Sequence, residues 1–119
     1  MTYTIVDPAT MPAEPGPHPA ASPYDKRVSD HLGLTTFAAY LVELPPEATT
    51  VPHDHVDDDV EDLYVIVRGS GWLVVDDERV PVRPRQFVVV TQQSRRHLVA
   101  GADGLDLVAV CGAVGSVAK

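Results

Sequence analysis

The chain has 119 residues, 45% hydrophobic and 22% charged, with a formal net charge of −8. That size and balance describe one folded domain whose core needs no disulfide or structural metal to hold it. The acidic excess excludes the basic stripe of a nucleic-acid surface, and no apolar run approaches the ~20 residues of a membrane-spanning helix.

Residues from Met1 to Asp7 lack the basic segment and apolar run of a secretory signal, so a cytoplasmic location is the expectation. Six of the eleven prolines fall within residues 1–23. Proline at this density removes ladder donors and breaks helices, which predicts an extended arm over residues 1–34 with its lead-in. Thr2 to Val6 is a candidate edge strand on a partner subunit, and His18, set between two prolines, is expected at the surface. Lys26 to Leu34 reads as a helical turn or irregular lead-in near Gly33.

From Thr35 the pattern is that of strands. Thr35 to Leu44 is rich in β-formers and stops at Pro45-Pro46. Thr49 to His55, Asp62 to Val67, Trp72 to Val75, Arg79 to Val82, Phe87 to Thr91, His97 to Ala100 and Leu105 to Val110 follow. Gly69-Ser70-Gly71, Asp76 to Glu78 and Gly101 to Gly104 read as the turns between them. The run Phe87 to Val90 is apolar on both faces, as where two sheets pack. Roughly eight short strands with regular turn signals predict an all-β antiparallel barrel or sandwich over 35–111 and a short tail over 112–119. Cys111, the single cysteine, follows an apolar run and is expected as a buried thiol in a terminal strand.

The chemistry concentrates between Val51 and Gly71. Successive side chains of an extended segment alternate faces, so His53 and His55 point to one side. Two imidazoles with a carboxylate on the next strand make most of a transition-metal site, and His97 is a candidate to complete it. The carboxylate is Asp62 or its neighbour Glu61, and strand register decides between them, because a one-residue shift flips the face. If Asp62 points inward, so do Tyr64 and Ile66. Asp57, Asp58 and Asp59 read as a solvated loop, and Arg95 and Arg96, next to His97, as surface groups, the alternative being that one reaches into the barrel mouth to clamp an anionic substrate. Tyr64, Tyr40 and Trp72 lie on strands, and at least one is expected to line a cavity, with a phenol available as acid or hydrogen-bond donor.

These residues resemble the cupin superfamily. His53-Asp54-His55, the apolar strand Tyr64 to Val67 and the following Gly69 are similar to its first motif, with Asp62 where the family carries glutamate. Its second motif is represented by His97, with Gln92 and Ser94 at the places of the proline and glycine. The resemblance implies a jelly-roll barrel holding Fe, Mn, Ni, Cu or Zn on His53, His55, Asp62 (or Glu61) and His97, with Tyr64 as a catalytic candidate. It further implies a small organic molecule as substrate or ligand, in an oxygenase, isomerase or lyase type of reaction. A non-catalytic binding module and a metal-free enzyme are the alternatives. A homodimer is the expected assembly.

Overall fold

The computed structural model describes residues 2–16 and 20–117; the expectation for His18 lies outside them. Six strands form among the described residues: β1 (Asp25–Lys26), β2 (Ala38–Leu44), β3 (Val60–Val75), β4 (Glu78–Val82), β5 (Phe87–Val90) and β6 (Arg96–Ala113). A single-turn helix, α1 (Val28–Leu32), ends at Gly33, whose φ of 71° supplies the left-handed cap. All the strand pairings are antiparallel, as expected for an all-β barrel. No helix among the described residues is long and apolar enough to cross a membrane.

Two long strands organise the molecule. β3 and β6 pair with each other along almost their whole lengths. In one half, from Val60 to Gly69, β3 lies between β6 and β5, and β6 continues the sheet to β2 and β1. In the other half, from Gly71 to Val75, β3 lies between β6 and β4. The ladder shifts register at Ile66/Arg68 and again at Gly69/Gly71, and there both strands bend from one sheet into the other.

The turn signals at Gly69-Ser70-Gly71 and Gly101 to Gly104 therefore mark bends inside continuous strands, which corrects the expectation of hairpins. Gly69 has a φ of 88°, and a Cβ there would collide with the carbonyl oxygen of Gly104. Glycine is needed because two backbones cross, not because the chain reverses.

Between the two sheets lies a core that includes Val42, Leu44, Tyr64, Ile66 and Leu107 from one and Leu73, Val82, Leu98 and Ala100 from the other. The outer face of the first sheet carries exposed apolar side chains. Phe87 and Val89 on β5 are 71% and 61% exposed. They flank Val65 and Leu63 on β3, so the double-faced apolar run of β5 packs inward on one side only.

The proline-rich segment folds back on its own barrel. Met11 is buried, Glu14 N–H donates to Asp25 O at 2.8 Å, and Lys26 Nζ lies 2.6 Å from Glu43 Oε1. Thr2 to Val6 form no strand.

Candidate functional site

His53 and His55 lie on the segment before β3. This segment was expected as a strand over Thr49 to His55, but it joins β6 only through isolated bridges, Thr49 to Val99 and His53 to Arg96. Two prolines precede it and Pro52 interrupts it, removing ladder donors. The backbone stays extended, and both imidazoles reach the same face, with ring centroids 4.9 Å apart in an edge-to-face arrangement.

Asp62 comes from the opposite sheet. On β3 the side chains of Asp62, Tyr64 and Ile66 are buried, while Glu61 and Val67 are exposed. Glu61 therefore lies on the outer face, away from the histidines. One donor atom each from His53, His55 and Asp62 falls within 4.8 Å of the others.

Asp62 Oδ2 is the hub. His55 Nε2 is 3.1 Å from it, His53 Nε2 is 3.5 Å away, and the Tyr64 hydroxyl donates to it at 3.0 Å. The fourth partner is Arg96, whose Nη1 is 3.4 Å away. Arg96 is fully buried, which corrects its expected surface position. Along β6 the residues Arg96, Leu98 and Ala100 face inward, and period-two alternation puts His97 on the other side. His97 is not brought to the cluster; its partner on the ladder is Val74. Burial and the neighbouring Arg95 charge hold its pKa below the ordinary imidazole value.

The far ring nitrogens are held as well. His53 Nδ1 is 2.8 Å from Val51 O, and His55 Nδ1 is 2.9 Å from Asp58 Oδ1. Asp58 thus serves the site, which corrects its expected place in a solvated loop. Both imidazoles turn Nε2 toward the centre. Burial penalises the charged form of His53, but hydrogen bonds to Asp62 and Val51 outweigh it and raise its pKa. For Asp62, burial works upward, and the His53 hydrogen bond with the His55 and Arg96 charges more than offsets it, so the carboxyl is lowered. Tyr64 is pushed well above its usual value, by burial first and then by Asp62, and remains a phenol donor.

The cluster opens into a cavity of about 480 Å³, a size that suits a small organic ligand. Tyr40, Tyr64, Val42, Leu107 and Cys111 form part of its wall, and Asp25, Arg27 and Asp30 approach from the amino-terminal segment. Burial, then the Asp62 and Asp58 charges, push the Cys111 thiol up to about 11. Trp72 lies elsewhere, under the Arg79 guanidinium at 3.8 Å. The contributions of Asp25, Arg27 and Asp30 escaped the sequence reading, since no periodicity connects them to the barrel.

The donor set fits a divalent transition metal. Two imidazoles with Nδ1 tied back and one carboxylate form the two-histidine, one-carboxylate combination that suits such ions. The carboxylate behind His55 and the carbonyl behind His53 are the outer contacts that ligand histidines use.

No protein-family model matches the chain, and no curated protein matches it. Solved structures do. A cupin protein from Bacteroides fragilis is 22% identical over 80% of each chain, with a TM-score of 0.73. A sugar phosphate isomerase from a cupin superfamily, from Silicibacter pomeroyi, is 18% identical over 92% of this chain and 75% of its own, with a TM-score of 0.75. The polyketide cyclase RemF from Streptomyces resistomycificus is 21% identical over 92% of this chain and 79% of its own, also with a TM-score of 0.75. The chain has the cupin fold, an all-β jelly roll with a histidine–carboxylate cluster between its two sheets.

Proposed function

We propose that this protein binds a divalent transition metal through His53, His55 and Asp62 and acts on a small organic molecule in the adjoining cavity. The observation that carries the reading is the paired orientation of the imidazoles, each Nδ1 engaged and each Nε2 turned toward Asp62. A metal held there supplies Lewis acidity to a substrate oxygen or to water. The protein supplies the rest. Tyr64 keeps its proton and fixes the Asp62 carboxylate by donating to it. Apolar side chains such as Val42 and Leu107 exclude water from one wall.

Charge narrows the ligand. Asp25, Asp30 and Asp58 join Asp62 around the cavity, and the guanidinium that lines it among the described residues, Arg27, is 3.0 Å from Asp30 and 3.4 Å from Glu14. This lining favours an uncharged or cationic molecule over a phosphorylated one.

Metal analysis of untagged protein, wild type beside His55→Ala, tests the reading. The expected result is close to one transition ion per chain, lost in the variant. Absence of metal in both after refilling would overturn it. A metal-free acid–base site is the second reading, favoured by the way four donors already close on Asp62 Oδ2. Activity insensitive to chelator would support it.

We also propose a homodimer through the outer face of β3 and β5, where exposed Phe87, Val89 and Val67 adjoin Leu63 and Val65. Light scattering should give twice the chain mass, and Phe87→Lys should give the monomer mass. A monomeric wild type at micromolar concentration would refute this.

A further inference from the structure

We infer that Arg96 is a positioning residue that stands where a further metal donor would stand, making this a three-ligand centre with a cation built in beside it. The inference rests on the metal reading above and concerns what Arg96 does to that metal.

The geometry begins with the backbone. His53 and Arg96 face each other as a hydrogen-bonded pair, His53 N–H donating to Arg96 O at 3.0 Å and Arg96 N–H to His53 O at 2.8 Å. Side chains of such a pair leave neighbouring strands side by side and on the same face. Position 96 is therefore aimed at the cluster, and position 97 is not.

Three contacts hold the guanidinium. Nη1 donates to Asp62 Oδ2 at 3.4 Å. Nη2 donates to Val90 O at 3.3 Å and to Thr91 O. Nε has no partner among the described residues. A fully buried arginine with an orphaned N–H is costly, and what offsets the cost is the Asp62 carboxylate.

The consequences for a metal follow from charge and from donor count. An ion on His53, His55 and Asp62 would meet a fixed positive charge at the same carboxylate oxygen, Asp62 Oδ2, that both imidazoles face. That carboxylate is shared between ion and guanidinium, which weakens its donation. Among the described residues no further His, Cys, Asp or Glu joins these three, which would leave a fourth position to water or substrate. Affinity is traded for access.

The test titrates Zn²⁺ and Co²⁺ into metal-stripped full-length protein, comparing wild type with Arg96→His, Arg96→Gln and His97→Ala. Arg96→His should bind about tenfold tighter or more, because a repelling charge goes and a donor comes. Its Co²⁺ bands should shift as a third imidazole enters the coordination sphere. Arg96→Gln, which removes charge without adding a donor, should also bind tighter but keep the wild-type Co²⁺ spectrum. His97→Ala should change neither affinity nor spectrum.

Wild-type affinity in both position-96 variants overturns the inference, and leaves the metal reading intact if wild type still takes up its ion through His55. Absence of metal in every protein overturns both. If Arg96→His does not fold, Arg96→Gln decides alone. If neither folds, the role of Arg96 is purely structural and the inference falls.

Discussion

Replacing Asp62 by asparagine keeps the side-chain shape and removes its charge. In the metal-free protein this leaves Arg96, fully buried, with two backbone carbonyls and no counter-ion. At the observed 3.4 Å separation, the pair attraction is about 5 kcal/mol at an effective dielectric of ~20. Asparagine recovers part of this, because its carbonyl still accepts one hydrogen bond. Breaking one side of a buried pair costs roughly 3–5 kcal/mol elsewhere, so Asp62→Asn should lose about 3 kcal/mol at pH 7. Urea unfolding in the presence of chelator measures it, and the midpoint should fall at unchanged slope. The effect should depend on pH in a fixed direction. The carboxyl is lowered in the folded state, so its contribution is present above the unfolded value of about 3.9 and disappears as pH falls through the folded pKa. Wild type and variant should converge in strong acid. A difference below about 1 kcal/mol at pH 7 would refute the account of Asp62 as the counter-charge to Arg96.

Three further outcomes follow from the same structure. Gly69→Ala should cost at least ~2–3 kcal/mol or prevent folding, since a Cβ at a φ of 88° collides with Gly104 O; a melting curve matching wild type would refute the crossing. His53 has a raised pKa, so its advantage over His53→Gln in metal-free protein should be complete below about pH 6.5 and vanish as pH rises through the folded value. Stability curves from pH 5 to 9 check this, and an advantage that grows with pH would contradict it. Cys111, with its thiol pushed up to about 11, should label slowly with disulfide reagents at pH 8 and speed up toward pH 11. A rate levelling off near pH 8.5 would mean an ordinary thiol.

Much of this was legible from residue patterns, and the failures share a cause. Period two was enough to put His53 and His55 on one face and to tie Asp62 to Tyr64 and Ile66. It could not choose between Arg96 and His97, because that register is set by pairing with His53, far away in the chain. Side-chain type then misled: an imidazole is the commoner ligand and a guanidinium the commoner surface group, and only a carboxylate 34 positions distant makes the buried arginine tolerable. The glycines carried a correct message of unusual backbone and a wrong one of chain reversal, since close approach and hairpin turns demand the same residue. The proline-rich segment has no regular ladder of its own, and its docking rests on single contacts such as that of Lys26 Nζ with Pro8 O.

The position of β6 bears on how the molecule is made. It comes last of the six strands in the chain, yet in the sheet it sits between β2 and β3. A nascent chain emerging from the ribosome carries β2 and β3 with nothing to join them, and His53, His55, Asp62 and Tyr64 without Arg96. Until β6 arrives, both strands expose unpaired edges, a state prone to aggregation. Sheet closure and the seating of Arg96 in the binding centre therefore belong to one late folding event, set by the arrival of β6.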